Sequence, residues 1–121
     1  MNLARTPEPP YYAVIFTSIR SAQHAGYERT AKEMASLAAA MPGFLGMDSA
    51  REDIGITVSY WRSLDAIFHW RNHADHKIAQ RFGREKWYAA FTTRICLVER
   101  AYSFEQETRD KKIGGVASCG V

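Results

Sequence analysis

The sequence has no long hydrophobic run and few cysteines. Its apolar stretches, such as residues 37–41 and 95–98, are far shorter than the ~20 residues that a membrane-spanning helix requires. The two cysteines, Cys96 and Cys119, do not resemble a disulfide framework, and the N-terminal residues lack the apolar core of an export signal. We therefore expect free thiols, no membrane association and a cytoplasmic location.

The sequence also lacks a strong excess of charge and any phosphate-binding motif. There are 16 lysines and arginines against 13 aspartates and glutamates, and the basic residues are scattered along the chain. Nucleic-acid binding usually requires a concentrated basic face, so we expect no nucleic-acid partner. No glycine-rich phosphate loop, paired cysteine motif or nucleophile elbow occurs, and we expect no bound cofactor.

The 121 residues are enough for one domain, in which strands and helices alternate in a recognisable order. Alternation is strict in the third predicted strand, where Ile56 and Val58 occupy one face and Thr57 and Ser59 the other. Ser63 is a suitable N-cap for the second helix. The pattern predicts strands at residues 11–18, 44–51, 54–61 and 91–104, and helices from about 24 to 41 and from 63 to about 83.

This β-α-β-β-α-β order predicts a ferredoxin-like α+β sandwich with both helices on one face of the sheet. We expect the domain to occupy residues 11–104. Residues 1–10, which are rich in proline, are predicted to be a flexible lead, and the charged and then glycine-rich residues 105–121 a flexible tail.

Apolar residues occupy both faces of the predicted first and last strands. If roughly eight such side chains faced water, the lost burial of ~1.5–3 kcal/mol each would sum to the order of 10–20 kcal/mol. Association costs an estimated ~4–15 kcal/mol, so covering this face with a second copy is favourable. We therefore predict a homodimer that packs sheet to sheet. The apolar residues of the first strand that support this prediction are Tyr11, Tyr12, Ala13, Val14, Ile15 and Phe16.

Several runs resemble the antibiotic biosynthesis monooxygenase family. They are PGFLGMDSAR at 42–51, SYWRSLDAI at 59–67, WRNHADH at 70–76, AQRFGR at 79–84 and VERAYSF at 98–104. The resemblance covers about residues 11–104 and implies a dimeric α/β barrel built on the ferredoxin-like order. The family includes cofactor-free oxygenases of polycyclic quinols and anthrones, haem-degrading enzymes and many members of unknown activity, so the resemblance implies oxygenation or haem degradation as the two known activities to weigh.

The resemblance favours the first activity over the second. Haem-degrading members carry an asparagine, a tryptophan and an iron-ligating histidine, and Trp70 occupies the position of the tryptophan. The position of the histidine holds Gln80 instead, and the first strand offers Phe16, Thr17 and Ser18 but no asparagine. An amide is a poor substitute for an imidazole ligand of iron, so we do not expect haem turnover.

Histidines in the second helix are the candidate bases. His69, His73 and His76 lie on one helical face, but the first and last are separated by about 10 Å of helix rise and cannot share one metal ion. We expect no metal site. An imidazole with an unperturbed pKa near ~6.5 suits proton abstraction, which makes His76 the preferred base and His73 the second candidate. Alternatively, both are surface or structural histidines.

A cation and several aromatic or small residues complete the predicted site. Arg94 could hold an anion in the pocket, or it could be paired at the end of its strand. The aromatic candidates could stack on a planar substrate, or they could simply form core. The small residues could leave volume for a ligand, or helix side chains could fill it. The predicted substrate-binding residues are Trp70, Trp61, Tyr60, Thr57 and Ser59.

Together these features predict a homodimeric monooxygenase that acts on a small aromatic quinol or anthrone without a cofactor. A non-catalytic dimeric module that binds a small hydrophobic ligand is the alternative.

Overall fold

The order of strands and helices is the predicted one. The computed structural model describes residues 2–22, 26–81 and 87–106, with side chains in the second helix described as far as residue 75. Within this part of the chain, no helix is both long enough and apolar enough to cross a membrane. The elements are β1 (Tyr11–Arg20), α1 (Tyr27–Ala39), β2 (Phe44–Arg51), β3 (Gly55–Trp61), α2 (Leu64–Arg81) and β4 (Tyr88–Val98).

The four strands form one antiparallel sheet in the order β2-β3-β1-β4. Val14 of β1 lies opposite Ser59 of β3 and Ile95 of β4, and it belongs to the cluster that packs under the helices. Residues opposite one another in a sheet share a face, so the even-numbered residues of β1 and the odd-numbered residues of β3 and β4 face the helices. The register of β1 and β4 shifts between Ile19 and Arg20, so at the start of β4 the even-numbered Tyr88 shares the helix side with Arg20. The ferredoxin-like α+β fold is confirmed.

The core lies between the sheet and the two helices, near the C-terminal end of β3. Trp61 and Ala38 are completely buried there, and Ile67 of α2 and Val14 pack against them. The indole Nε1 of Trp61 donates a hydrogen bond of 2.9 Å to Ser59 Oγ, which satisfies both polar groups inside the core. This core fixes the first two turns of α2 over the centre of the sheet.

The start of α2 is capped and lies very close to the start of β2. Ser63 Oγ accepts a hydrogen bond of 3.1 Å from the backbone N–H of Ala66, which confirms the predicted N-cap. Gly43, which precedes β2, has a φ of +86°, and a Cβ at this position would lie 2.6 Å from Ala66 Cβ. Only glycine fits this contact. The predicted end of the helix at Gly83 lies outside the described residues.

The N-terminal residues, which we predicted to be a flexible lead, contact the sheet and β4's C-terminal extension in the structure. The backbone N–H of Ala4 donates to Asp48 Oδ1 over 2.7 Å, and the hydroxyls of Thr6 and Tyr11 share a hydrogen bond of 2.8 Å. Arg5 forms an exposed ion pair with Glu105 at 3.2 Å. These residues cover part of the sheet face that the helices leave open, which explains why Tyr11 is buried. Residues 107–121 of the predicted tail lie outside the described part of the chain.

Apolar side chains are exposed on both faces of the sheet. On the face away from the helices, Ile19 and Ile56 are nearly half exposed. On the helix side, β4 is an edge strand, and Ile95 and Leu97 remain 42% and 50% exposed. The helices therefore cover β1 and β3 better than they cover β4.

Candidate active site

A cleft of about 500 Å³ opens between α2 and β4 on the helix side of the sheet. This volume lies within the range of small-molecule sites, roughly 300–1,000 Å³. Apolar side chains form most of its walls, and polar groups of α2 lie along one side. The lining residues are Leu64, Asp65, Ile67, Phe68, Arg71, Asn72, Asp75 and Ile95.

The cleft results from the position of α2 over the sheet. Ile67 is anchored in the core beside Trp61 of β3, so the helix axis lies over the centre of the sheet rather than over its β4 edge. Leu64, Phe68 and Arg71 follow one another at steps of four and three residues, which places them in one stripe along the side of α2 that faces the uncovered edge. Ile95 supplies the opposite wall.

The polar groups of the cleft include both donors and acceptors. Arg71 carries a permanent positive charge and Asn72 an amide, and both can donate hydrogen bonds to an oxyanion. Asp65 and Asp75 supply carboxylates, and Asp75 lies one helical turn beyond Arg71. A cleft of this composition can hold an apolar ring system by its faces and a polar oxygen at its rim.

Three of the predicted site residues do not line the cleft but form a row of rings that begins in the core. Trp61 and Trp70 are stacked with ring centroids 6.1 Å apart, and His73 lies 6.1 Å beyond Trp70. Trp61 and Ser59 are buried in the core and bonded to each other. Trp70 and His73 are half-buried, so this pair is closer to solvent than Trp61 is.

Thr57 and Tyr60 are on opposite faces of β3. Thr57 is half-buried on the helix side, opposite Phe16 of β1. Tyr60 is on the other face, where its hydroxyl donates a 3.0 Å hydrogen bond to Asp48 Oδ2. Burial, followed by the hydrogen bond to Asp48, raises the pKa of Tyr60 to about 12. Tyr60 therefore does not line a pocket beneath the helices.

Arg94, our candidate for the cation of the pocket, is on the face of β4 away from the helices. It lies opposite Ile15, whereas its neighbour Ile95 takes the helix-side position opposite Val14. Consecutive residues of a strand alternate between faces, so the two cannot both reach the cleft. Within the described chain, Arg71 is the cation that lines the cleft.

The preferred base, His76, has its backbone in α2, but its side chain lies outside the described residues, as does that of Gln80. His69 is exposed on α2 beside Phe68. The roles of these histidines stay predictions. Among the residues that the structure describes, no group of three His, Cys, Asp or Glu side chains could hold a metal ion.

Sequence reasoning missed the residues that line the cleft. The signal was present as a stripe from Leu64 through Phe68 and Arg71 to Asp75, with apolar residues in the first turns and charged ones after them. Such a stripe is typical of a helix side beside a groove as well as of an ordinary solvated face, and the spacing alone does not separate the two.

Comparison with known proteins agrees with this architecture. The family model for antibiotic biosynthesis monooxygenases matches residues 10–81. The uncharacterized protein YqjZ of Bacillus subtilis (strain 168) is 53% identical over 110 residues, which are 89% of this chain and 96% of YqjZ.

Two solved structures share the fold at low sequence identity. PA3566 from Pseudomonas aeruginosa is 19% identical with a TM-score of 0.60, and the match covers 79% of this chain and 99% of that one. SnoaB from Streptomyces nogalater, a cofactor-independent oxygenase, is 17% identical with a TM-score of 0.56, over 81% of this chain and 100% of SnoaB. The fold, the family model and the extended identity to YqjZ lead to one conclusion: the chain belongs to the antibiotic biosynthesis monooxygenase family.

Proposed function

We propose that this protein is a cytoplasmic, homodimeric monooxygenase that oxidises a small quinol-like or anthrone-like aromatic substrate without a bound cofactor. The observation that carries the proposal is the cleft of about 500 Å³ between α2 and β4, with its apolar walls and its Arg71 and Asn72 donors. Family membership and the likeness to a cofactor-independent oxygenase support the same reaction class.

The proposed reaction uses the substrate itself as the reductant of oxygen. A base removes a proton from the activated CH₂ carbon of an anthrone, and the resulting carbanion transfers an electron to O₂. The two radicals combine into a C–O bond, and the peroxide loses water to leave a carbonyl group. One oxygen atom enters the product and the other leaves as water, so atoms and electrons balance without an added reductant.

Residues of α2 supply the proposed chemistry. His76 or His73 acts as the base, since an imidazole changes charge near neutral pH. The anion formed by deprotonation places negative charge on the substrate oxygen, and Arg71 and Asn72 are the donors that hold it. Arg71 takes the role that the sequence assigned to Arg94, because Arg94 lies on the other face of the sheet.

Trp70 is the proposed aromatic contact for the substrate, although it is not among the described lining residues of the α2–β4 cleft. It is half-buried between the fully buried Trp61 and His73, so its ring can contact a planar ligand while the stacked partner holds it in place. A substrate bound against the apolar walls would be partly shielded from water, which would strengthen the interaction between its anion and the arginine.

The proposed homodimer covers the sheet face opposite the helices. Ile15, Ile19, Ile56 and Val58 lie on this face and are at least partly exposed. Beyond β4, residues 99–106 are exposed and include aromatic side chains that a second copy would bury. This exposed apolar surface supports the dimer, as the apolar pattern of the strands did.

The second candidate is a dimeric module that binds a small hydrophobic ligand without turnover. One observation favours it: the described lining residues of the α2–β4 cleft include no histidine. A cleft with apolar walls and a few polar groups is sufficient for binding, whereas catalysis requires a base within hydrogen-bond reach of the substrate.

Oxygen uptake separates the two candidates. Purified protein is incubated with a panel of anthrones and quinols, and binding of each compound is measured in parallel under nitrogen. The proposal predicts uptake above the uncatalysed rate, with a loss of at least about a hundredfold in His76→Ala or His73→Ala, in the range typical of general-base catalysis. Arg62→Gln, an exposed arginine outside the cleft, is the control and should be unaffected. Saturable binding with no uptake for any compound would contradict the oxygenase and support the binding module.

A further inference from the structure

A second group of polar side chains lies at the other end of the helix-covered face, remote from Trp61. We name it the arginine–tyrosine cluster and define it as Ser18, Arg20, Tyr27, Arg51 and Tyr88. Strand register brings four of them together, since Arg51 lies opposite Gly55, Gly55 opposite Ser18, and Arg20 opposite Tyr88. Tyr27, the first residue of α1, lies above them.

The side chain of Arg51 packs against the sheet at Gly55. Its guanidinium donates a hydrogen bond to Ser18 Oγ and lies against Gly55, where any Cβ would collide with it. Ser18 and Gly55 are both buried. A glycine inside a strand often marks a close approach to the backbone, and here it lets a charged group lie flat on the sheet beneath α1.

A second cation reaches the same aromatic ring. The guanidinium carbon Cζ of Arg20 is 4.2 Å from the centroid of the Tyr27 ring, and that of Arg51 is 5.6 Å from it. Glu28, which is largely exposed, lies 3.8 Å from Arg20 and is the one carboxylate paired with either arginine among the described ion pairs. Within the described part of the chain, two positive charges thus share one ring with a single, solvated counter-charge.

The arginine–tyrosine cluster also contains a hydrogen-bond donor that has no acceptor among the described residues. Arg20 Nε is buried without a hydrogen-bond partner among the described residues. A buried donor that lacks an acceptor destabilises the protein, and more so when it belongs to a charged group. An acceptor of negative charge placed between the two guanidinium groups would satisfy this donor and offset their repulsion.

The tyrosines add neutral hydroxyl groups. Tyr88 donates a hydrogen bond of 3.3 Å to Tyr27, and burial, followed by this bond, raises the pKa of Tyr88 above its usual value. The hydroxyl of Tyr88 therefore stays protonated at neutral pH and adds no negative charge to compete with a ligand. Phe16 and Phe91 pack around Tyr88 and make the surroundings apolar.

We propose that the arginine–tyrosine cluster is an oxyanion-binding site that takes the carboxylate or phosphate group of a small ligand. The two guanidinium groups supply the charge and directed donors, and guanidinium geometry matches both oxyanions. The site lies near Ser18, whereas the α2–β4 cleft lies beside Ile95, opposite Val14. The inference goes beyond the proposed oxygenase and holds whether or not the chain turns over an aromatic substrate.

Isothermal titration calorimetry tests the site with three probes: 1-naphthoate, inorganic phosphate and the neutral 1-naphthalenemethanol. We expect saturable binding of at least one of the two anions, weakened at least about tenfold in Arg51→Gln, as is typical when a hydrogen bond to a charged group is lost. Preference between the two anions identifies the type of oxyanion. Arg62→Gln, an exposed arginine at the opposite end of β3, lowers the net charge equally and should bind like the wild type.

Arg20→Gln is the second variant, because Arg51 is packed against the sheet and its replacement could disturb folding. It should also weaken anion binding at least tenfold, as a charged donor is again removed. Failure of both anions to bind, equal binding of the neutral alcohol, or unchanged binding by Arg20→Gln would overturn the proposal. None of these outcomes depends on oxygen uptake.

Discussion

Replacing Gly43 with alanine tests how tightly α2 is held against the start of β2. An added Cβ would lie 2.6 Å from Ala66 Cβ, whereas carbon atoms in contact prefer ~3.5–4.0 Å. Neither Gly43 nor Ala66 can move easily to relieve this contact. The backbone O of Gly43 accepts a 2.8 Å hydrogen bond from Arg62 N, and the backbone N–H of Ala66 is bonded to the cap residue Ser63. The overlap of about 1 Å must therefore be relieved by moving α2 away from the sheet.

The expected loss of stability has two parts. A non-glycine residue in the left-handed region costs about 1–2 kcal/mol, and overpacking a core contact adds about 1–3 kcal/mol. We predict that Gly43→Ala lowers the free energy of unfolding by about 2–5 kcal/mol, measured by urea denaturation with the m value unchanged. Because the first turn of α2 lines the cleft, the variant should also bind aromatic ligands more weakly.

A double-mutant cycle isolates the contact. Ala66→Gly removes the opposing Cβ and costs about 1 kcal/mol from helix propensity. If the clash is real, the double variant is less destabilised than the sum of the two single variants, by about 1–3 kcal/mol. Strict additivity, or a loss below about 1 kcal/mol for Gly43→Ala alone, would refute the close packing of Gly43 against α2.

Substitutions at three further residues test other parts of the structure. Ser63→Ala removes the N-cap of α2 and should lower the free energy of unfolding by about 0.5–2 kcal/mol, whereas Ser63→Asp should retain most of it. Ile67→Ala should cost about 2–5 kcal/mol, because it opens a cavity beside Trp61. The pKa of Tyr60 is raised in the folded state, so its contribution to stability is complete below about pH 10 and is lost as the pH rises through about 12. Tyr60→Phe should flatten the fall in unfolding free energy over that alkaline range, and an unchanged profile would contradict the raised pKa of Tyr60.

The sequence predicted the fold because its signals were local. Alternation in β3 and the serine at position 63 each depend on residues close together in the chain. The predicted end of the last strand was wrong, because β4 ends at Val98 rather than at residue 104. Val98 pairs with Tyr11, the first residue of β1, and the following residues have no strand beside them. The length of β4 therefore depends on its partner strand and not on the composition of residues 99–104.

The site was harder to predict for the same physical reason that suggested a dimer. Both faces of the first and last strands carry apolar residues, so the sequence did not indicate which alternate set faces the helices. Arg94 was consequently placed on the wrong side, one residue from Ile95. The contact of Ala4 with Asp48 and that of Arg51 with Ser18 join residues remote in sequence, and no periodicity indicates them.

Isotope incorporation is the most direct test of the proposed oxygenase. The purified protein is freed of metals with a chelator and incubated with an anthrone under ¹⁸O₂, with no added reductant or cofactor, and the product is analysed by mass spectrometry. The account predicts a quinone that gains one ¹⁸O atom, formed faster than without protein and more slowly with Arg71→Gln than with Arg62→Gln. Quinone formation at the same rate with and without the protein would contradict it.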